Sequence, residues 1–100
     1  MSGYVVELAP AAEDDIGDAF LWYRERNLLI AEAFRAEVFE TIDRIADAPL
    51  AKGADDEGNR KRVLHRFPYS VIYEVLGSTV TILAVAHHRR KPRYWRSRTA

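Results

Sequence analysis

Apolar and polar positions change period twice along this chain, and the changes mark out its elements. Tyr4, Val5, Val6 and Leu8 make a short aromatic and β-branched run that predicts a strand over 4–8. Pro10 ends that run and suits the first turn of a helix. Glu13, Asp14 and Asp15 follow, where carboxylates oppose the positive end of the helix dipole. Ala12, Ile16, Phe20 and Tyr23 recur at helical spacing, Arg24 and Arg26 sit at the end that suits cations, and Asn27 is the expected stop. Ile30, Phe34, Val38, Ile42 and Ile45 then draw the apolar stripe of a second helix, closed by Pro49. Glu32, Arg35, Glu37, Glu40, Asp43 and Arg44 fall mostly off that stripe. The connection between the helices is so short that they are expected to fold back as an antiparallel hairpin.

Beyond Pro49 the period becomes that of strands. Residues 49–59 hold Gly53, Gly58, Asn59 and the run Asp55-Asp56-Glu57, which reads as a solvated loop. Arg60 to Phe67 alternates imperfectly, with Val63, His65 and Phe67 on one face, and Pro68 breaks it. Tyr69 to Val75 is the next strand, and Gly77-Ser78 is a two-residue hairpin turn. Thr79 to His87 follows, with Val80, Ile82, Ala84 and Ala86 on one face and Leu83 and Val85 on the other; a strand apolar on both faces is central. The expected fold class is α+β, in the order β-α-α-β-β-β: an N-terminal strand, a helical hairpin and a C-terminal antiparallel sheet. One domain over 1–100 is expected at this length.

Charge adds what hydropathy leaves out. The formal net charge is zero, yet residues 1–59 hold five Lys and Arg against fourteen Asp and Glu, while residues 60–100 hold ten against Glu74 alone. An acidic half joined to a basic half points to an acidic partner or to nucleic acid. Cysteine is absent, so neither a disulfide framework nor a thiolate metal site is available. No stretch approaches the about 20 apolar residues of a membrane span, and the first ten residues do not read as a signal peptide. A cytoplasmic protein with no membrane partner is expected.

Phe67-Pro68-Tyr69-Ser70-Val71-Ile72-Tyr73-Glu74-Val75, the Gly77 turn and Ala84-Val85-Ala86-His87-His88-Arg89-Arg90-Lys91-Pro92 together resemble the RelE/ParE superfamily of toxins from type II toxin–antitoxin systems. The helix start Leu8-Ala9-Pro10-Ala11-Ala12-Glu13-Asp14-Asp15 and the helix end Ile45-Ala46-Asp47-Ala48-Pro49 fit the same pattern, and Tyr94-Trp95 with Arg98 resembles the ParE-like branch. The resemblance implies one of two activities. ParE-type members inhibit DNA gyrase with no cleavage chemistry of their own; RelE-type members cut messenger RNA on the ribosome. Either is silenced by a cognate antitoxin, here expected to be acidic, in a toxin–antitoxin hetero-oligomer. No cofactor is implied.

Cutting RNA at a 2′-OH needs a proton acceptor, cations on the phosphate and a donor for the leaving oxygen. Lys61, Arg62, Arg66, His87, Arg90 and Tyr94 are chemically sufficient. The slot that carries a phosphate-binding Arg in RelE-type enzymes matches Ser70 here, which removes a cation from the middle of the site. The gyrase reading needs only a shaped, charged surface, for which Arg60, Arg62, His87, Arg89, Arg90, Arg93, Tyr94 and Trp95 are the target-binding candidates. They form one patch if the second and last strands end near each other. A third reading is an inactive antitoxin-binding or co-repressor module.

Plainer assignments stand beside these. His87 and His88 are neighbours on a strand and point to opposite faces, so they suit a sheet position and a solvated one better than one metal ion. Ser70 and Ser78 lie among histidines without a strained nucleophile turn. Phe20, Trp22 and Tyr23 read as core rather than as a stacking platform. Trp95 has two readings, an anchor on the sheet or a contact for a partner.

Overall fold

A computed structural model of the protein describes residues 3–89. The elements are β1 (Val5–Leu8), α1 (Pro10–Arg24), α2 (Leu28–Asp47), β2 (Asn59–Val63), β3 (Tyr69–Leu76) and β4 (Thr79–His87). Four strands make one sheet in the order β1-β4-β3-β2. The three C-terminal strands pair antiparallel, and β1 joins the same sheet parallel to β4 through Val5–Leu8 against Thr79–Ile82, which makes it mixed. That pairing needs a crossover from β1 to β4, and the helical hairpin lies within it.

Local chemistry sets most element ends. Pro10 opens α1. Asn27, expected to stop the first helix, instead starts the second: its side-chain oxygen accepts the Leu29 N–H at 2.9 Å and caps α2. Gly77 turns the β3–β4 hairpin at φ +60°, a conformation that suits glycine because it lacks a Cβ.

One apolar core lies between the hairpin and the sheet, built from Ala12, Ile16, Ala19, Phe34, Val38, Ile42, Ile45, Leu64, Val71, Tyr73, Val80, Ile82 and Val85. The α2 stripe departs from expectation in two places. Ala31 is buried and Ile30 is exposed, so the core-facing stripe begins one residue later. Glu37, expected off the stripe, is buried to 3% exposure. Both follow from helix geometry, since residues i, i+3 and i+4 share a face and 31, 34, 37, 38, 41, 42 and 45 continue one band.

The sheet corrects the expected face pattern of the last strand. Ile72 pairs with Ala84 while Tyr73 pairs with Ile82, so Leu83 is an extra residue in β4. A bulge of this kind flips the parity of everything beyond it. Val80, Ile82 and Val85 therefore face the helices, and Leu83, Ala84 and Ala86 gather with Ile72 in a second buried cluster. The strand expected over 60–67 is also shorter and stops at Val63. Leu64 turns into the core, and the backbone at 65 and 66 bonds to Glu37 rather than to β3. Among the described residues no helix is long and apolar enough to cross a membrane.

Candidate functional site

β2 and β4 both run antiparallel to β3, so their C-terminal ends lie at the same end of the sheet, with Val63 opposite Ser70 and Ser70 opposite Ala86. Two strand spacings, about 10 Å, separate them. The loop after β2 and the turn after β4 meet there, where the His88 N–H donates to the Pro68 carbonyl at 2.8 Å. This sheet end gathers Arg66, His87, His88 and Arg89.

Aromatic packing stiffens it. Tyr69 stands edge-on to His87 with ring centroids 4.9 Å apart, and it packs on Phe34 at 5.0 Å. Tyr23 and Phe67 close the cluster at 5.3 Å from one another. Burial pushes the Tyr23 phenol up, and a hydrogen bond with Tyr69 offsets part of that. Burial lowers the His87 pKa, and the charges of Arg89 and His88 lower it further. His87 Nδ1 accepts the Arg89 N–H at 3.0 Å, so that nitrogen is the unprotonated one. A neutral imidazole with an assigned tautomer is thus held on the sheet end.

Beside the rings, a cleft of about 640 Å³ opens between α1 and the ends of β3 and β4. Asp15, Asp18 and Trp22 line its helix wall, and Tyr69, His87 and Arg89 line the other. An Asp15 carboxylate oxygen accepts the Val85 N–H at 3.0 Å, which ties α1 to β4 beyond the last residue that β1 pairs.

The candidate residues divide by face. Arg60 and Arg62 pair with Tyr73 and Val71, on the helix side of the sheet, whereas Lys61 pairs with Ile72 on the other side. The three neighbours therefore do not form one patch. Arg60 is half-buried and donates to the Lys52 carbonyl. Arg62 is half-buried, and its Nε is buried without a hydrogen-bond partner. Lys61 and Arg89 are exposed. Arg90, Arg93, Tyr94 and Trp95 lie outside the described residues.

Ser70, in the slot discussed for a phosphate-binding Arg, is buried, and its hydroxyl contacts His88 Nε2 at 3.0 Å. It sits within a regular strand, so the contact fastens the end of β4 to β3. No group of three His, Asp or Glu side chains able to hold a metal comes together among the described residues.

Sequence reasoning missed Glu37. Its carboxylate accepts the His65 N–H, the Arg66 N–H at 3.3 Å and Arg66 Nε at 3.1 Å. Burial alone raises a carboxyl pKa; the bonds from His65 and Arg66 outweigh it and hold this one below its ordinary value. Its core-band position, one turn from Phe34 and Thr41, was the available signal.

A helical hairpin laid on one face of a mixed sheet, with rings and cations gathered at one sheet end, defines the class of small α+β proteins to which this chain belongs. The family described as "ParE toxin of type II toxin-antitoxin system, parDE" matches residues 6–92, and the chain is a member of it. A solved chain of the chromosomal ParDE toxin–antitoxin system from P. aeruginosa is similar in fold, with a TM-score of 0.76 at 19% identity over 87% of this chain and 98% of that one. No curated protein matches the sequence.

Proposed function

We propose that the chain inhibits DNA gyrase as a ParE-like toxin and is neutralised by a cognate acidic antitoxin. One observation carries the choice of target: the described sheet end has a rigid ring-and-cation surface, but its centre holds Ser70, buried and bonded to His88, where cleavage chemistry calls for a cation. A binding surface needs shape and charge, which Tyr69, His87 and Arg89 supply. A ribonuclease needs an acid, a base and phosphate-holding cations within reach of one another. Lys61 and Arg62 face opposite sides of the sheet, which separates two of the candidates for those roles.

An antitoxin fits the charge division, because a disordered acidic segment can fold onto the basic half as it binds. The test is controlled expression in bacteria, scoring gyrase–DNA cleavage complexes and codon-biased mRNA cuts in the same cultures. Cleavage complexes alone support this function. Cuts alone support the ribosome-dependent mRNA interferase, and growth without either effect supports an inert antitoxin-binding module.

A further inference from the structure

We infer that Glu37 is a positioning residue that aims the guanidinium of Arg66 at a carboxylate on an acidic protein partner, a reading that rests on the toxin–antitoxin assignment above. Arg66 is the third residue of the loop at 64–68, and its backbone N–H bonds to Glu37 rather than to a strand. Such a side chain is ordinarily spread over many rotamers. Here Glu37, 3% exposed, takes both the loop backbone and Arg66 Nε, so one carboxylate fixes the main chain and the first nitrogen of the head group together. The Arg66 side chain nevertheless stays 63% exposed. Among the described residues no other carboxylate lies within ion-pair distance of it. Its two terminal nitrogens therefore form a pre-aimed fork, the geometry that takes a carboxylate through two parallel hydrogen bonds.

The surroundings favour a negative partner, and the toxin–antitoxin reading makes that partner an acidic protein segment. Between residues 60 and 89 the chain has five Lys and Arg and a single acid, Glu74, so a negative partner is attracted. Preorganisation explains why the carboxylate is buried: an Arg already held loses less freedom when the partner arrives.

The experiment co-expresses the full chain with its antitoxin and measures dissociation of the purified complex across a salt series. Arg66→Ala is expected to weaken binding about tenfold, as for loss of a charge-assisted pair. Arg66→Lys is expected to recover only part of that, since an ammonium cannot form the fork. Glu37→Gln is expected to weaken binding about threefold in the wild-type background and not at all in the Arg66→Ala background, the non-additivity of two residues acting as one unit. A Glu37 that serves only the fold gives additive losses, and a mere point charge at residue 66 gives full binding for Arg66→Lys; either result overturns the inference. Unchanged binding by Arg66→Ala overturns it while leaving the toxin assignment standing. Failure of the wild-type chain to bind any antitoxin overturns both, and a loss of binding to nucleic acid in place of antitoxin assigns the fork to phosphate and overturns the partner named here. Thermal melts of each variant confirm that binding is read on folded protein.

Discussion

Removing the Glu37 carboxylate is the sharpest test of what holds the β2–β3 loop. In Glu37→Ala the His65 N–H loses a charged acceptor, a bond worth about 1.5–3 kcal/mol net. The Arg66 N–H is shared at 3.3 Å between both carboxylate oxygens and adds less. The ion pair itself adds about 0–1 kcal/mol, because the Arg66 side chain is 63% exposed and water screens it. His65 lies at the surface, so its freed amide recovers part of the loss by hydration. The sum is about 2–3 kcal/mol of unfolding free energy, and with about 4–8 °C per kcal/mol for a domain of this size it lowers Tm by roughly 8–24 °C. Glu37→Gln keeps an acceptor oxygen and loses only the charge, which predicts a loss of about 1 kcal/mol. Urea unfolding followed by tryptophan fluorescence gives both numbers. The pH dependence adds a second reading. The folded carboxyl titrates below its ordinary value of 4.5, so its contribution is present above that pH and fades as pH falls through the folded value. Wild type and Glu37→Gln should therefore converge in acid. A Glu37→Ala variant within 0.5 kcal/mol of wild type, on the about 1 kcal/mol scale of one such bond, or a gap that widens in acid, refutes the reasoning.

Other outcomes follow from single contacts. His87 titrates below its ordinary 6.5, so the unfolded chain takes up the proton first and stability falls as pH drops below that value; His87→Phe should remove the slope while keeping the ring on Tyr69, read from melts between pH 5 and 7. Tyr73 is fully buried and its hydroxyl donates to the buried Pro49 carbonyl at 3.0 Å, so Tyr73→Phe should cost about 1–2 kcal/mol in urea unfolding. Gly77→Val, at φ +60° in the hairpin turn, should cost at least about 1 kcal/mol and slow refolding in stopped-flow if the turn forms early. Arg90→Ala, or deletion from Arg93 onward, should weaken growth inhibition while leaving antitoxin binding largely intact.

The element order was legible because each segment carries its own period and its own punctuation. Pro10, Pro49 and the Gly77-Ser78 turn are local signals, and the helices and strands between them end close to where those residues say. Three features were not legible, each for its own reason. Asn27 looked like a stop because its role as a cap is set by the following turn, with which it hydrogen-bonds. The bulge at Leu83 is invisible in a run that is apolar at every position from 82 to 86, since alternation has no phase there. Glu37 reads as a surface charge until the loop 28 residues later is brought over it. The sheet-end site was legible in part: the sequence put His87 and Arg89 at the end of a buried strand, but which basic residues of β2 share their side depended on register, and register placed Lys61 and Arg62 on opposite faces.

On the function proposed above, the sheet end presents rings and cations to a cellular target without chemistry of its own. Purified chain mixed with gyrase, relaxed plasmid and ATP tests it most directly. Reduced supercoiling is expected, with protein-linked linear DNA that appears once detergent and protease are added, both effects being lost as salt is raised. Full supercoiling at a molar excess of folded chain, together with cutting of mRNA on translating ribosomes, contradicts it.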